Sequence, residues 1–162
     1  MDRIASFTID HLVLEPGVYL SRRDADPAGG TSVTTFDLRL TAPNREPVMD
    51  TAAAHAIEHL VATFLRSDPE WRDRVVYFGP MGCRTGFYLI VFGEVGPVDV
   101  VPLVTRAFEF VRDFAGPIPG ASPKECGNWH DSDLAQARWW ARRYLDRTLK
   151  VIDEAHLNYP EA

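Results

Sequence analysis

Two histidines and a glutamate have the spacing of a metal site on a helix. His55 and His59 are four residues apart, and Glu58 immediately precedes the second histidine. At 3.6 residues per turn, both imidazoles lie on one helix face and can reach the same metal ion. Glu58 falls beside them, within reach of a ligand bound to that ion. The alternative interpretation is two histidines that share a helix surface by chance.

A catalytic metal site usually has three protein ligands and an open position. Cys126 is one candidate for the third ligand, since a thiolate binds zinc or ferrous iron well. Gly127 follows it and permits close approach of the backbone to a bound group. A small buried apolar side chain is the other interpretation of this cysteine. The further candidates are His11, Cys83, His130 and His156, although the last two are also typical of surface histidines.

Cys83 stands in a glycine-rich segment, Gly79-Pro80-Met81-Gly82-Cys83-Arg84-Thr85-Gly86. The glycines leave room for a ligand beside the thiol. Arg84 is expected to lower the pKa of the thiol and so favour the reactive thiolate. An inert buried cysteine is the alternative. A disulfide with Cys126 is less favoured, because we expect a cytosolic chain.

The elements that hold these residues follow from hydrophobic periodicity and capping signals. Helices are predicted at 51–66, 98–114 and 132–149, with Asp50 as the N-cap of the first and Asp131 or Ser132 as that of the third. A long loop over 115–131 carries Cys126, and loops of this length are often functional. Strands are predicted at 6–14, 17–21, 33–41, 74–78 and 85–93. Strands and helices do not alternate strictly, which favours an α+β fold with helices on one face of the sheet.

The composition is that of an ordinary globular protein. The 162 residues are 46% apolar and carry a net charge of −6, and we expect a single domain over residues 1–162. No basic cluster indicates nucleic-acid binding, and the arginines between Arg138 and Arg147 fit a solvated helix face. There is no apolar run of about 18 residues and no secretory signal. We therefore expect a cytoplasmic protein without a membrane or nucleic-acid partner.

Five short segments of the sequence carry a resemblance to a known enzyme family. They are Ser6-Phe7-x-x-Asp10-His11, Thr35-Phe36-Asp37-Leu38-Arg39, His55-x-x-Glu58-His59-Leu60-x-Ala62-x-x-x-Arg66, Pro80-Met81-Gly82-Cys83-Arg84-Thr85-Gly86-Phe87-Tyr88 and Glu125-Cys126-Gly127-Asn128. In this order they resemble the S-ribosylhomocysteine lyase family, often called LuxS. The resemblance extends over about residues 6–149.

The resemblance implies a role for each of eight residues. Its implied metal ligands are His55, His59 and Cys126, with ferrous iron as the working metal, one ion per subunit, and zinc or cobalt as substitutes. Its implied proton-transfer residues are Glu58 and Cys83. Its implied substrate contacts are Ser6, His11 and Arg39. It further implies an antiparallel sheet and a homodimer with active sites at the interface.

The implied reaction converts S-ribosylhomocysteine to homocysteine and 4,5-dihydroxy-2,3-pentanedione, the precursor of autoinducer-2. Two aldose–ketose isomerisations precede a β-elimination. Each step removes a proton next to a carbonyl, which requires positioned acids and bases. Arg39 is a candidate for binding the homocysteine carboxylate, and a surface pair with Asp37 is its alternative role.

Several positions depart from the family's usual residues: Ala56, Leu12-Val13-Leu14, Tyr77, Gly79 and Ser132. These departures leave two other functions open. One is a divergent member that takes another substrate, or that binds a metal or ligand without turnover. The other is a metallopeptidase of the inverzincin type, whose H-x-x-E-H pattern matches here and in which Glu58 would activate a metal-bound water. Retention of both Glu58 and Cys83 favours the lyase, since a binding protein needs neither proton carrier.

Overall fold

Four segments with alternating side chains form an antiparallel sheet. The computed structural model describes residues 8–160. Its strands are β1 (Gly17–Ala25), β2 (Ser32–Arg39), β3 (Val75–Pro80) and β4 (Gly86–Phe92). They lie in the order β1-β2-β4-β3, and every neighbouring pair is antiparallel. Strand β3 is therefore an edge strand, next to the turn that carries Cys83.

Three helices cover one face of this sheet. They are α1 (Thr51–Ser67), α2 (Pro97–Asp113) and α3 (Leu134–Tyr144), and α3 runs on into a π-helical turn (Leu145–Leu149). Asp50 caps α1, because its Oδ1 accepts a hydrogen bond from the backbone N–H of Ala53 at 2.8 Å. The apolar stripe of α1 is buried against the sheet and the other two helices. The α+β fold with helices on one face is confirmed.

The two faces of the sheet differ in chemistry. On β2, Phe36 and Leu38 belong to the hydrophobic core, together with the helices. Since successive side chains of a strand point to opposite faces, Asp37 and Arg39 lie on the face away from the helices. That face is covered by residues 8–16 and by the C-terminal segment, which includes a short 3-10 turn (Glu154–His156). The C-terminal segment crosses so close to β1 that a Cβ on Gly17 would lie 2.3 Å from the carbonyl oxygen of His156.

Two sequence expectations for the elements are wrong. Residues 8–14 form turns instead of a strand, because the Asp10 carboxylate accepts a hydrogen bond from the N–H of Leu12 at 2.9 Å and bends the chain. The third helix begins at Leu134, where Asp133 is the N-cap in place of Asp131 or Ser132. Ser6 lies outside the described residues. Within residues 8–160, no helix is both long enough and apolar enough to span a bilayer.

A buried threonine provides a test of the packing. Thr41 is fully buried, and its hydroxyl has no hydrogen-bond partner within residues 8–160. An unsatisfied buried hydroxyl costs about 1–3 kcal/mol. We therefore expect Thr41→Val to raise the free energy of unfolding by about 1 kcal/mol, measured by urea denaturation.

Thr34 is the matched control for this substitution. It is equally buried, but its Oγ1 donates to the carbonyl of Gly93 at 2.7 Å and accepts from the N–H of Val95 at 3.3 Å. Thr34→Val should therefore destabilise the fold by about 1–3 kcal/mol. Loss of stability in Thr41→Val similar to that in Thr34→Val would contradict the assignment of an unsatisfied hydroxyl.

Candidate active site

Helix α1 and the loop before α3 bring two imidazoles and a thiol together. The Nε2 atoms of His55 and His59 are 3.0 Å apart, and the Sγ of Cys126 is 3.4 Å from the Nε2 of His55. All three donor atoms lie within 4.8 Å of one another, and all three residues are half-buried. A tetrahedral centre with bonds of about 2.0–2.3 Å separates its donor atoms by about 3.3–3.6 Å. The distances of 3.0 Å between the two imidazole nitrogens and 3.4 Å between the sulfur and His55 are close to these values.

Backbone carbonyls orient both imidazoles. The Nδ1 of His55 contacts the carbonyl oxygen of Asp131 at 2.7 Å, and the Nδ1 of His59 contacts that of Pro119 at 2.8 Å. A carbonyl oxygen only accepts hydrogen bonds, so each Nδ1 carries the proton and each Nε2 presents a lone pair. Two such nitrogens at 3.0 Å repel one another unless a cation lies near both. The donor set therefore fits a metal ion.

One loop provides most of this arrangement. The segment 114–133 carries Cys126 and both carbonyls that hold the imidazoles. Gly120 allows the loop to approach His59, because its φ is +72° and a Cβ there would lie 3.2 Å from the Nδ1 of His59. The loop is attached to the start of α1 by a hydrogen bond from the Thr51 hydroxyl to the Asp131 carboxylate at 3.1 Å. The long loop therefore provides one candidate ligand and orients both imidazoles.

Glu58 lies next to the two imidazoles and is half-buried. It lines a recess of about 430 Å³ together with His55, His59, Phe78 and Pro119. Within residues 8–160 its carboxylate has no hydrogen-bond or ion-pair partner. A carboxylate in this position is available for proton exchange with a molecule bound in the recess.

Cys83 lies in a second cavity, in the turn between β3 and β4. The turn is closed by hydrogen bonds from the N–H of Met81 to the carbonyl of Gly86 at 3.0 Å and from the N–H of Arg84 to that of Met81 at 2.9 Å. Cys83 is exposed, and its cavity measures about 280 Å³. The polar side chains around this cavity are His11, Ser21, Asp37, Arg39, Tyr88 and Tyr159.

Arg39 is buried in this second cavity and makes hydrogen bonds on two sides. Its Nε and one terminal nitrogen donate to the two carboxylate oxygens of Asp37 at 3.1 and 2.5 Å, and the other terminal nitrogen donates to the Thr85 hydroxyl at 2.5 Å. The Asp37 carboxylate also accepts from the Tyr159 hydroxyl at 2.9 Å. The expected pair of Arg39 and Asp37 therefore forms, but it is buried rather than on the surface. Asp37 occupies the edge of the guanidinium that binds a carboxylate through two hydrogen bonds, so a substrate carboxylate would meet only the remaining N–H groups.

Burial and hydrogen bonding have opposite effects on the Cys83 thiol. Partial burial raises its pKa, but hydrogen bonds from the side chain and backbone of Thr85 and the positive charge of Arg39 outweigh burial. The pKa of Cys83 is consequently below that of an ordinary thiol, which favours the thiolate. The sequence assigned this effect to Arg84, whereas in the structure Thr85 and Arg39 produce it.

The described chain brings its candidate residues together in two groups that do not meet. One group is the donor set with Glu58; the other is Cys83 with His11 and Arg39, and the two cavities share no lining residue. Phe78, which lines the first recess, belongs to the core on the helix side of the sheet. Tyr88 lines the second cavity and, by strand alternation, lies on the opposite face. The sheet therefore separates the two groups within one chain.

Two of the departures from the family pattern form a single structural unit. Tyr77 and Gly79 are two residues apart on β3, and a Cβ on Gly79 would lie 1.9 Å from the hydroxyl oxygen of Tyr77. The phenol therefore occupies the space that a side chain at position 79 would fill. A side chain at position 79 would therefore require the Tyr77 ring to move.

Other sequence candidates lie outside both groups. The His130 ring contacts the Trp129 ring at a centroid distance of 3.7 Å, and the His156 ring contacts the Asp153 carboxylate at 2.7 Å. Both cysteines are free, so the alternative of a disulfide is wrong. Thr85 and Tyr159 received no role from the sequence. For Thr85 a signal existed, because it lies two residues after Cys83 in the same segment; for Tyr159 none did.

Comparisons with known proteins point to one enzyme family. A family model described as S-Ribosylhomocysteinase (LuxS) matches residues 4–155. Relatives named S-ribosylhomocysteine lyase from Clostridium acetobutylicum and Clostridium beijerinckii are 52% and 54% identical to this chain, covering 99% of it and 100% and 99% of the relatives. Another with the same name, from Borreliella burgdorferi, is 49% identical and covers 99% of this chain and 100% of the relative.

Proposed function

The chain belongs to the S-ribosylhomocysteinase (LuxS) family, a family of carbon–sulfur lyases, and we propose that it cleaves the thioether of S-ribosylhomocysteine. The products are homocysteine and 4,5-dihydroxy-2,3-pentanedione, which is the precursor of autoinducer-2. The observation that carries the proposal is the group of two imidazoles, both with lone pairs on Nε2, and one thiol, with the carboxylate of Glu58 beside it, which has no partner within residues 8–160. The relatives at about 50% identity over the whole chain bear the name of this activity.

His55, His59 and Cys126 would hold one divalent metal ion per subunit, with ferrous iron expected and zinc or cobalt as substitutes. When bound, the ion supplies Lewis acidity toward substrate oxygens. The soft thiolate and the two imidazoles are ligands that suit ferrous iron, cobalt and zinc. The carbonyls of Asp131 and Pro119 keep both Nε2 atoms free of protons, and the imidazoles therefore need no change of tautomer to bind a cation.

Glu58 and Cys83 would carry the protons. Each isomerisation takes a proton from one sugar carbon and returns a proton to its neighbour, so the carbonyl moves along the chain without net oxidation. After two such steps the sulfur is β to the carbonyl. Removal of the proton on the carbon between the carbonyl and the sulfur-bearing carbon then breaks the C–S bond. Homocysteine leaves as a thiolate, which takes up a proton. Two carriers suit this sequence, since the protons leave and arrive at different atoms, and each positioned carrier contributes about 10²–10⁴-fold.

His11, Arg39 and Ser6 would contact the substrate. His11 is half-buried in the Cys83 cavity, and its Nδ1 lies 2.9 Å from the carbonyl oxygen of Ile9. Its other nitrogen is then left for a hydroxyl of the substrate. Arg39 offers the N–H groups that Asp37 and Thr85 do not use. For Ser6 the proposal rests on the family resemblance alone.

We further propose a homodimer in which each active site combines the metal group of one chain with the Cys83 group of the other. The support is the separation of the two groups by the sheet, since neither group alone contains a metal site and two proton carriers. Leu12 and Val13 are 67% and 51% exposed beside the Cys83 cavity, and Tyr77 is 48% exposed on the same face of the sheet. A second copy of the chain would cover these apolar side chains. The cytoplasmic location and a role in quorum sensing or the methionine cycle stay predictions.

The other two functions have less support. A metallopeptidase would leave Cys83 without a role, and the comparisons reported above name lyases. Binding without turnover would require neither the carboxylate of Glu58, left without a partner among the described residues, nor a thiol whose pKa is lowered.

Thiol release tests the proposed function. The protein, loaded with ferrous iron under anaerobic conditions, is mixed with S-ribosylhomocysteine, and free homocysteine is measured with a thiol reagent after removal of the protein. We expect release that falls by about 10²–10⁴-fold in Cys83→Ala. No release from a protein that holds about one metal ion per chain would contradict the proposal and indicate a binding protein or a changed substrate.

Cys126→Ala is expected to lose the metal. The substitution removes one of three protein ligands, so we expect the affinity for metal to fall by more than about 100-fold. Metal content after dialysis, measured by mass spectrometry, checks this expectation. A stoichiometric metal content in the dialysed variant would rule out Cys126 as a ligand.

A further inference from the structure

The Thr85 hydroxyl lies between a buried cation and the thiol of Cys83. The guanidinium of Arg39 donates to the Oγ1 of Thr85 at 2.5 Å, and this Oγ1 lies 3.1 Å from the Sγ of Cys83. Thr85 and Arg39 are 4% and 3% exposed, so water competes little for the hydroxyl. The three groups form a short hydrogen-bonded row that ends at the exposed sulfur.

The direction of the hydrogen bond between Arg39 and Thr85 is fixed by the chemistry of the guanidinium. A guanidinium donates and never accepts, so Thr85 accepts from Arg39. The hydroxyl has one proton of its own, and the sulfur of Cys83 is the partner found for it. A hydroxyl that donates to sulfur stabilises the thiolate over the thiol. A thiolate can only accept, so with Cys83 in that form the Thr85 hydroxyl donates its proton to the sulfur while it accepts from Arg39.

The guanidinium of Arg39 is also held on the side away from Thr85. The Asp37 carboxylate binds its other side, and Asp37 accepts from the hydroxyl of Tyr159, whose ring stacks on that of Tyr19 at a centroid distance of 4.8 Å. The guanidinium therefore has little freedom to turn away from Thr85. Asp37 and Tyr159 therefore fix the position of the cation that donates to the Thr85 hydroxyl.

We propose that Thr85 is a positioning residue that holds Cys83 as a thiolate, ready to accept a proton. The proposal rests on the proposed function in that it assumes Cys83 to be a proton carrier. Thr85 keeps its own proton throughout, and no bond to it forms or breaks. Its role is to donate a hydrogen bond to the sulfur while it accepts one from Arg39, which itself has no hydrogen bond to that sulfur among residues 8–160.

The other titratable groups around the sulfur come from four elements. Asp37 on β2 opposes the effect of Arg39, but the two are paired. Burial raises the pKa of Tyr88 on β4 and of Tyr159 in the C-terminal segment, so both phenols are uncharged near neutral pH. His11 lines the same cavity from the N-terminal segment. Among these groups and Thr85, only Thr85 has a hydrogen bond to the Cys83 sulfur.

Alkylation of Cys83 as a function of pH tests the proposal. Iodoacetamide reacts with the thiolate, and mass spectrometry of the peptide that contains Cys83 separates its modification from that of Cys126. In Thr85→Val we expect the profile to move by about one pH unit to higher pH, so that alkylation on the acidic limb is about tenfold slower. Thr85→Ser retains the hydroxyl, so its alkylation rate at each pH should lie within about twofold of that of the parent protein.

Thr41→Val is the matched control. Thr41 is buried nearby, and its backbone N–H donates to the carbonyl of Thr85 at 3.2 Å. Its hydroxyl has no partner within residues 8–160, so the substitution removes no hydrogen bond. Its alkylation profile should equal that of the parent. If Thr85→Val does not fold, Thr85→Ala removes the same hydroxyl without adding a second methyl group, and the same shift is expected. A profile of either folded variant that coincides with that of Thr41→Val would overturn the proposal. The readout needs no substrate, so it remains decisive even if the lyase assay fails.

Discussion

Cys83→Ala is expected to bind metal like the parent protein and to release homocysteine about 10²–10⁴-fold more slowly. The thiol lies on the far side of the sheet from the donor set of its own chain and shares no cavity with it. Cys83 is exposed, so its truncation should leave the free energy of unfolding within about 0.5 kcal/mol. Metal content, a urea denaturation curve and thiol release measured on one preparation separate these effects.

Cys83→Ser is the matched variant for this prediction. A hydroxyl occupies nearly the same position as the thiol but keeps its proton near neutral pH, so we expect a loss of activity close to that of Cys83→Ala. Near-parental rates in either variant would show that Cys83 carries no proton in the reaction. Loss of metal in Cys83→Ala would instead indicate that the thiol is itself a metal ligand, and it would contradict the role of Cys83 as a proton carrier.

Local signals predicted the elements well where side chains do not compete with the backbone. Asp50, the three alanines of the first turn and a regular apolar stripe predicted α1 to within one residue at its C-terminal end. The prediction failed at residues 8–14, where the sequence alternates as a strand does. There the Asp10 carboxylate offers the backbone a turn, which periodicity does not detect.

The candidate site was predictable as far as it depends on spacing. The helix brings His55, Glu58 and His59 together without further information, whereas Cys126 is 71 residues from His55 and was one of several candidates until the family resemblance was considered. Strand alternation placed Asp37 and Arg39 on one side. It did not predict their burial, because Tyr159, 122 residues from Asp37, approaches from a segment without a recognisable pattern.

The division of the site between two faces of the sheet could not be predicted from the residues alone. It depends on the strand order, in which β3 lies at the edge and β4 separates it from β2. The turn between β3 and β4 then carries Cys83 to the face of Asp37 and Arg39, while α1 packs against the other face. Because the two groups lie on opposite faces, mixing variants with defects in different groups tests whether one active site uses residues from two chains.

Two inactive variants are expected to restore activity when their chains are mixed. Glu58→Gln damages only the metal group, and Cys83→Ala damages only the other group. In a hybrid dimer with composite sites, one site receives both defects and the other receives none. Random exchange makes about half of the dimers hybrid, so thiol release should recover to about a quarter of that of the parent protein.

The control mixes two variants with defects in the same group, Glu58→Gln and Cys126→Ala. Every site of such a hybrid carries one defect, and we expect no recovery. If each chain instead completes its own site, the mixture of Glu58→Gln with Cys83→Ala also stays inactive, and the proposed dimer with composite sites is wrong. Recovery in the first mixture only, at about a quarter of the parental rate, requires that the sulfur of one chain serves the metal group of its partner, since no other combination of the two damaged chains contains an intact set of residues.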